Sequence, residues 1–106
     1  MTNFARDVSH HDREVEELRN DRVLAVEYLK AALEEIDQPG GMASGLAALR
    51  AVAEACGGLR KIAKEAGVSR EALYRALSPK GNPTLKTLQS VLKAAGLKLT
   101  VVEEAA

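Results

Sequence analysis

Arg70, Glu71, Tyr74 and Arg75 stand at i, i+1, i+4 and i+5, a spacing that puts all four on one face of a helix. Arginine can donate its forked N–H groups to guanine or to phosphate, a carboxylate can accept from the cytosine amino group, and a tyrosine can touch a thymine methyl or a phosphate. Lys61, Lys64, Lys80 and Lys86 surround this stretch and are placed to meet phosphates. The chemistry these residue types can perform is the binding of double-stranded DNA.

Such a face must be held by the segment before it. Ala63 is followed four residues on by Gly67, and six further by Leu73. Two helices joined by a three-residue turn cross closely, so the first needs a small residue at the crossing, which Ala63 supplies. The turn needs a residue at positive φ, where glycine carries no Cβ penalty, and Gly67 supplies it. Leu73 returns an aliphatic side chain to the core, with Ile62, Ala66, Val68 and Leu77 completing that face, and Ser69 is placed as the N-cap of the second helix. The spacing alone fits either an ordinary αα-hairpin or a helix-turn-helix, whose second helix enters the major groove. The outward residues favour the second.

Charge distribution points the same way. The chain is neutral overall, with 15 basic and 15 acidic residues. Residues 1–41 hold five basic and ten acidic side chains, whereas residues 57–98 hold nine basic and only Glu65 and Glu71. An acidic front is joined to a basic back, which suggests a polyanion at the basic end and a basic partner at the acidic end.

Periodicity supplies the remaining elements. Residues 1–20 carry only a thin amphipathic signal, Val15 and Leu18, and read as a mobile or marginally helical N-terminal segment ahead of a domain over residues 21–106. From Asp21, a plausible N-cap, Val23, Val26, Leu29, Leu33 and Ile36 form a helical stripe over about residues 21–37. Gln38, Pro39, Gly40 and Gly41 end it. Further helices are expected over about 42–56, 59–66, 70–77 and 85–95, the last capped by Thr84 and closed by Gly96. Leu97 to Val102 mostly alternates and reads as a short C-terminal β-strand, whose natural partner is the same strand of a second copy. The expected fold is therefore all-α, a five-helix domain of phage-repressor type with one short strand.

Other functions find little to work with. Cys56 is the sole cysteine, which excludes an internal disulfide and fits a small apolar residue better than a nucleophile. His10, His11 and Asp12 are adjacent, so their side chains diverge, and no metal site is expected. There is no phosphate-cradling glycine loop after a strand and no nucleophile elbow. No catalytic residues, cofactor or enzyme activity are expected. The opening residues lack a signal-peptide core, and no stretch approaches the roughly 18 apolar residues of a membrane span, so the expectation is a cytoplasmic protein without membrane association.

The run from Ile62 to Ser78, followed by Gly81, Asn82, Pro83 and Thr84, resembles the addiction-module antidote proteins, HigA-like antitoxins with an Xre/Cro-type helix-turn-helix. The likeness extends over about residues 21–102, while residues 9–20 and the glycine-rich spacer 38–45 depart from the family pattern. The resemblance implies a dimeric repressor of its own operon that also neutralises a small basic ribonuclease toxin of the RelE/HigB type. A stand-alone Xre-type regulator without a toxin, and an adaptor that never meets DNA, are the alternatives. Carried over residue by residue, Ser69, Arg70, Glu71, Tyr74 and Arg75 would read DNA, with Lys80 and Asn82 as backbone contacts beside Lys61 and Lys86. The basic partner would meet the acidic front at Glu14, Glu16, Glu17, Glu27, Glu34 and Glu35.

Overall fold

A fifteen-residue helix of small side chains, Gly41–Ala55, organises the molecule. The computed structural model describes residues 3–105, with side chains from His10 onward. In chain order the helices are α1 (Asn3–Asn20), α2 (Arg22–Glu34), α3 (Gly41–Ala55), α4 (Leu59–Ala66), α5 (Arg70–Ala76) and α6 (Leu85–Ala94). Alanine and glycine along α3 let neighbours approach its backbone from several sides, so Gly45, Leu46, Ala48, Leu49, Ala51, Val52, Ala53 and Ala55 are all buried. The α1–α2 pair packs on α3, and α4 and α6 pack on it as well, with α5 held by α4. Leu29, Leu46, Val52, Ile62, Leu73, Leu77 and Val91 form the fully buried centre of the core.

Local chemistry sets the boundaries. Asp21 caps α2 by accepting from the Leu24 N–H at 3.0 Å, and Thr84 caps α6 by accepting from the Thr87 N–H at 3.1 Å, each satisfying a donor that the first helical turn leaves free. The α2–α3 connection needs glycine twice. Gly40 lies in the left-handed region at φ 77°, and a Cβ on Gly41 would collide with the Glu35 carbonyl oxygen. Gly96, at φ 76°, closes α6 through a 2.7 Å bond from the Leu97 N–H to the Leu92 carbonyl.

Four expectations are corrected. The domain has six helices rather than five, because residues 3–20 form a full helix whose Val15 and Leu18 are buried in the core. Its stability comes from tertiary contact more than from its own periodicity: His11 Nε2 meets Glu54 Oε2 on α3 at 2.8 Å, and the Arg19 guanidinium reaches the Glu54 carbonyl. The C-terminal strand is absent: residues 97–105 are neither helix nor strand, since no described segment pairs with them, and the ladder that defines a strand requires a partner. Val23 is 73% exposed, because α2 presents Ala25 and Leu29 to the core and turns Val23 outward. Val68, in the turn before α5, is 37% exposed, whereas Ile62 and Leu73 are fully buried.

Candidate nucleic-acid interface

The turn between α4 and α5 is closed by its backbone. Gly67 sits at φ 73°; its N–H donates to the Lys64 carbonyl and the Val68 N–H to the Ala63 carbonyl, at 3.2 and 3.0 Å. This bond pair terminates a helix through one left-handed residue. Ser69 then restarts it, its Oγ accepting from the Ala72 N–H at 3.0 Å. With Ala63 and Leu73 both buried, α5 has one rotational setting against α4.

That setting turns Arg70, Glu71, Tyr74 and Arg75 to solvent. The opposite face of α5 carries Leu73, and Leu77 just beyond the helix end is likewise fully buried, so the exposed four make a continuous polar strip. Ser69 is also exposed, at the start of the same helix. Lys86 on the first turn of α6 joins the strip, its ammonium 3.4 Å from the point where a Cβ on Gly67 would lie. Lys61 and Lys64 project from α4, and Lys80 and Asn82 from the loop before α6, all exposed. The N-terminus of α4 begins at Gly58 without a side-chain cap. The surface is thus rich in cations that form no ion pair with a described residue, with two exposed carboxylates among them, Glu65 on α4 and Glu71 near the start of α5.

One residue of this surface escapes a reading of exposed positions. Arg50, half-buried on α3, places its guanidinium carbon 5.9 Å from the centroid of the Tyr74 ring, and its Nη1 donates to the Leu77 carbonyl at 3.5 Å. It holds both an outward side chain of α5 and the carbonyl just past that helix's end. The signal in the sequence is that, Glu54 apart, the rest of α3 is Gly, Ala, Leu, Val, Met and Ser: a charge inside such a helix must find a partner. Glu54, its only other charged residue, finds His11.

The acidic residues of the first part of the chain lie mainly on α1 and α2, which pack on α3. They are not equivalent. The Tyr28 hydroxyl donates to Glu14 at 3.3 Å, and Glu16 accepts from Arg19 at 2.7 Å and from Asn20 at 3.2 Å. Burial, reinforced by the Glu14 charge and hydrogen bond and opposed by Arg50, raises the Tyr28 hydroxyl above its ordinary range. Glu17, Glu27, Glu34 and Glu35 are exposed and form no ion pair with a described residue. No helix among the described residues is long and apolar enough to cross a membrane.

Comparison with known proteins adds a family. The model of a family described as "Probable addiction module antidote protein" matches residues 8–103, a span that takes in all of α2 through α6 and most of α1. An uncharacterised protein of Haemophilus influenzae is 43% identical over 75 residues, covering 71% of this chain and 76% of that protein. No solved structure matches.

Proposed function

The chain belongs to the family of addiction-module antidote proteins, and from that premise we propose that it is an antitoxin that binds the DNA of its own operon as a repressor and neutralises a basic ribonuclease toxin of the RelE/HigB type. In this reading residues 21–106 are the DNA-binding domain, of the HigA-like Xre/Cro kind, and α4 and α5 are its helix-turn-helix. The observation that carries the proposal is the strip of Arg70, Glu71, Tyr74 and Arg75 on α5, framed by lysines from α4, α6 and the intervening loop.

The mechanism is groove reading anchored by phosphate contacts. Helix α5 enters the major groove, where Arg70 and Arg75 donate to guanine edges or phosphates, Glu71 accepts from cytosine, and Tyr74 meets a thymine methyl or phosphate. Ser69, at the start of the same helix, completes the reading set, while Lys61, Lys80, Asn82 and Lys86 bind the backbone and fix the register. A homodimer presents two copies of α5 about 34 Å apart, one helical turn of DNA, to a palindromic operator. The acidic α1–α2 side, where Glu17, Glu27, Glu34 and Glu35 remain unengaged, faces a basic toxin.

Fluorescence anisotropy on DNA from upstream of its own gene, against random DNA across a salt series, tests the first half. If each protomer meets roughly three to five phosphates, log K falls with log salt at a slope of about −5 to −9. A flat salt response, or equal affinity for random DNA, refutes operator recognition. Co-expression with the neighbouring gene product and isolation of a complex tests the second half, and a regulator that binds its operator but captures no such protein is a stand-alone factor.

A further inference from the structure

Helix α6 carries basic side chains beyond the one that joins the α5 strip. Lys86, Gln89, Ser90 and Lys93 stand at i, i+3, i+4 and i+7, one face of the helix, and with Lys98 they line a groove of about 550 Å³. All three lysines are exposed, and none forms an ion pair with a described residue. Among the described residues no carboxylate lines the groove. Leu97 and Leu99, also in its wall, give the lysine stems apolar surface to lie on while the ammoniums stay in water.

The donors of this groove are point charges. Ser90 spends its hydroxyl proton on the Lys86 carbonyl, at 3.0 Å, which leaves the Gln89 amide and three ammoniums. Lys93, in the last turn of α6, also complements the negative end of the helix dipole; Lys98, beyond the helix end, has no such duty. Three flexible cations without an arginine fork or a nest of backbone N–H groups hold no small anion in one orientation. They suit a polyanion whose charges recur along a line. Lys86 and Lys93 are about 10 Å apart along the axis at 1.5 Å per residue, a span of about three nucleotides of one DNA strand.

Continuity says which polyanion. Lys86 lines the groove, and its ammonium lies 3.4 Å from the point where a Cβ on Gly67 would stand, in the turn that sets α5. We propose that the α6 groove is a second nucleic-acid contact, in which Lys93 and Lys98, with Gln89, bind backbone phosphates of the duplex adjoining the half-site that α5 reads. Lys86 is shared between the two contacts. The inference rests on the operator binding of the proposed function and extends it to two lysines and a glutamine outside the reading strip. Contacts of this kind carry no base information. They add affinity and salt dependence, and they make operator affinity depend on the length of DNA beyond the bases recognised.

The test is fluorescence anisotropy of the full chain across a salt series on two duplexes, each carrying one operator half-site. One is trimmed to the half-site, and the other is extended by about ten base pairs, one helical turn, on either side. On the extended duplex Lys93→Gln and Lys98→Gln each reduce the steepness of the log K against log salt slope by about 0.9, the effect of one phosphate. On the trimmed duplex neither changes it. Glutamine matches lysine in helix propensity and both sites are exposed, so the variants stay folded, as circular dichroism checks. Arg13→Gln, an equal loss of charge on α1, alters neither slope. Unchanged slopes on the extended duplex, equal losses on both duplexes, or the same loss from Arg13→Gln overturns the proposal. So does a dimer dissociation constant in sedimentation equilibrium that depends on Lys93 and Lys98 while the DNA slopes do not, which would give the groove to an acidic segment of a second copy. A wild type with a flat salt response on both duplexes defeats the operator reading and this one with it. Steep wild-type slopes that Lys93→Gln and Lys98→Gln leave intact defeat this groove alone.

Discussion

Replacing Arg50 by methionine keeps most of the side-chain volume on α3 and removes two interactions at once. The guanidinium lies 5.9 Å from the Tyr74 centroid, near the outer limit for attraction to a ring face, and the ring is half exposed, so this contact stabilises by only about 0.5 kcal/mol. The 3.5 Å bond to the Leu77 carbonyl is long, and its net contribution is about 0.5 kcal/mol. The expected loss is about 1 kcal/mol, read as a shift of the urea midpoint without change in slope. A double-mutant cycle with Tyr74→Phe and Tyr74→Ala apportions it. Phenylalanine retains the ring face and should retain the coupling to Arg50, whereas alanine should abolish about half of the Arg50 effect. On operator DNA, Arg50→Met should weaken binding about two- to threefold, because Tyr74 then samples other rotamers before docking. Strict additivity of Arg50→Met and Tyr74→Ala in both assays would refute the positioning argument.

Four further outcomes follow from the same geometry. Leu73→Ala leaves a cavity at the α4–α5 contact and should destabilise by about 2–5 kcal/mol in denaturant titration, a full collapse of the fold being the upper end. Gly67→Ala should cost about 1–2 kcal/mol, because φ 73° is strained for any side chain, while the Lys86 ammonium beside it can swing away; a neutral result would mean the turn relaxes out of the left-handed region. Arg70→Ala should lose about 1–3 kcal/mol on the operator and less on random DNA if it reads a base, and equal losses would reassign it to phosphate. Finally, the hydroxyl of Tyr28 is raised above 10.0, so the unfolded chain releases this proton first. Its contribution is complete below pH 10 and declines as pH rises toward the folded value; Tyr28→Phe should flatten the alkaline limb of the stability profile, and an unchanged limb would contradict the burial.

What the sequence made legible follows from how local each cause is. The α4–α5 unit was readable because its determinants are contiguous: a small residue, a glycine and a capping serine at fixed offsets, each required by the backbone of its own turn. The same holds for Asp21, Thr84 and Gly96, which act within three residues of where they stand. Helix α1 was underestimated because its supports lie elsewhere in the chain, with Glu54 of α3 receiving both His11 and Arg19. Arg50 was missed for the same reason: its partners are 24 and 27 residues away, and only its isolation in an alanine-rich helix betrays it. The C-terminal alternation was read as a strand, yet a period of two describes what a chain could pair with, and no described segment pairs with it.

Zero net charge conceals a polarity along the chain: acidic side chains concentrate in residues 1–41 and basic ones in residues 57–98. Few of these charges neutralise one another, since only two ion pairs are found among the described side chains. In the proposed reading a DNA duplex attracts the lysine-framed face and repels the exposed carboxylates of α1 and α2, so the field favours approach by α5 before any contact forms. Carboxylates held off from the duplex in this way are left open to a basic protein. In the proposed reading a bound toxin would then reduce the negative charge of the complex and strengthen its attraction to DNA at long range. A basic partner that instead weakened operator binding at every salt concentration would have to act by steric conflict or by moving α5.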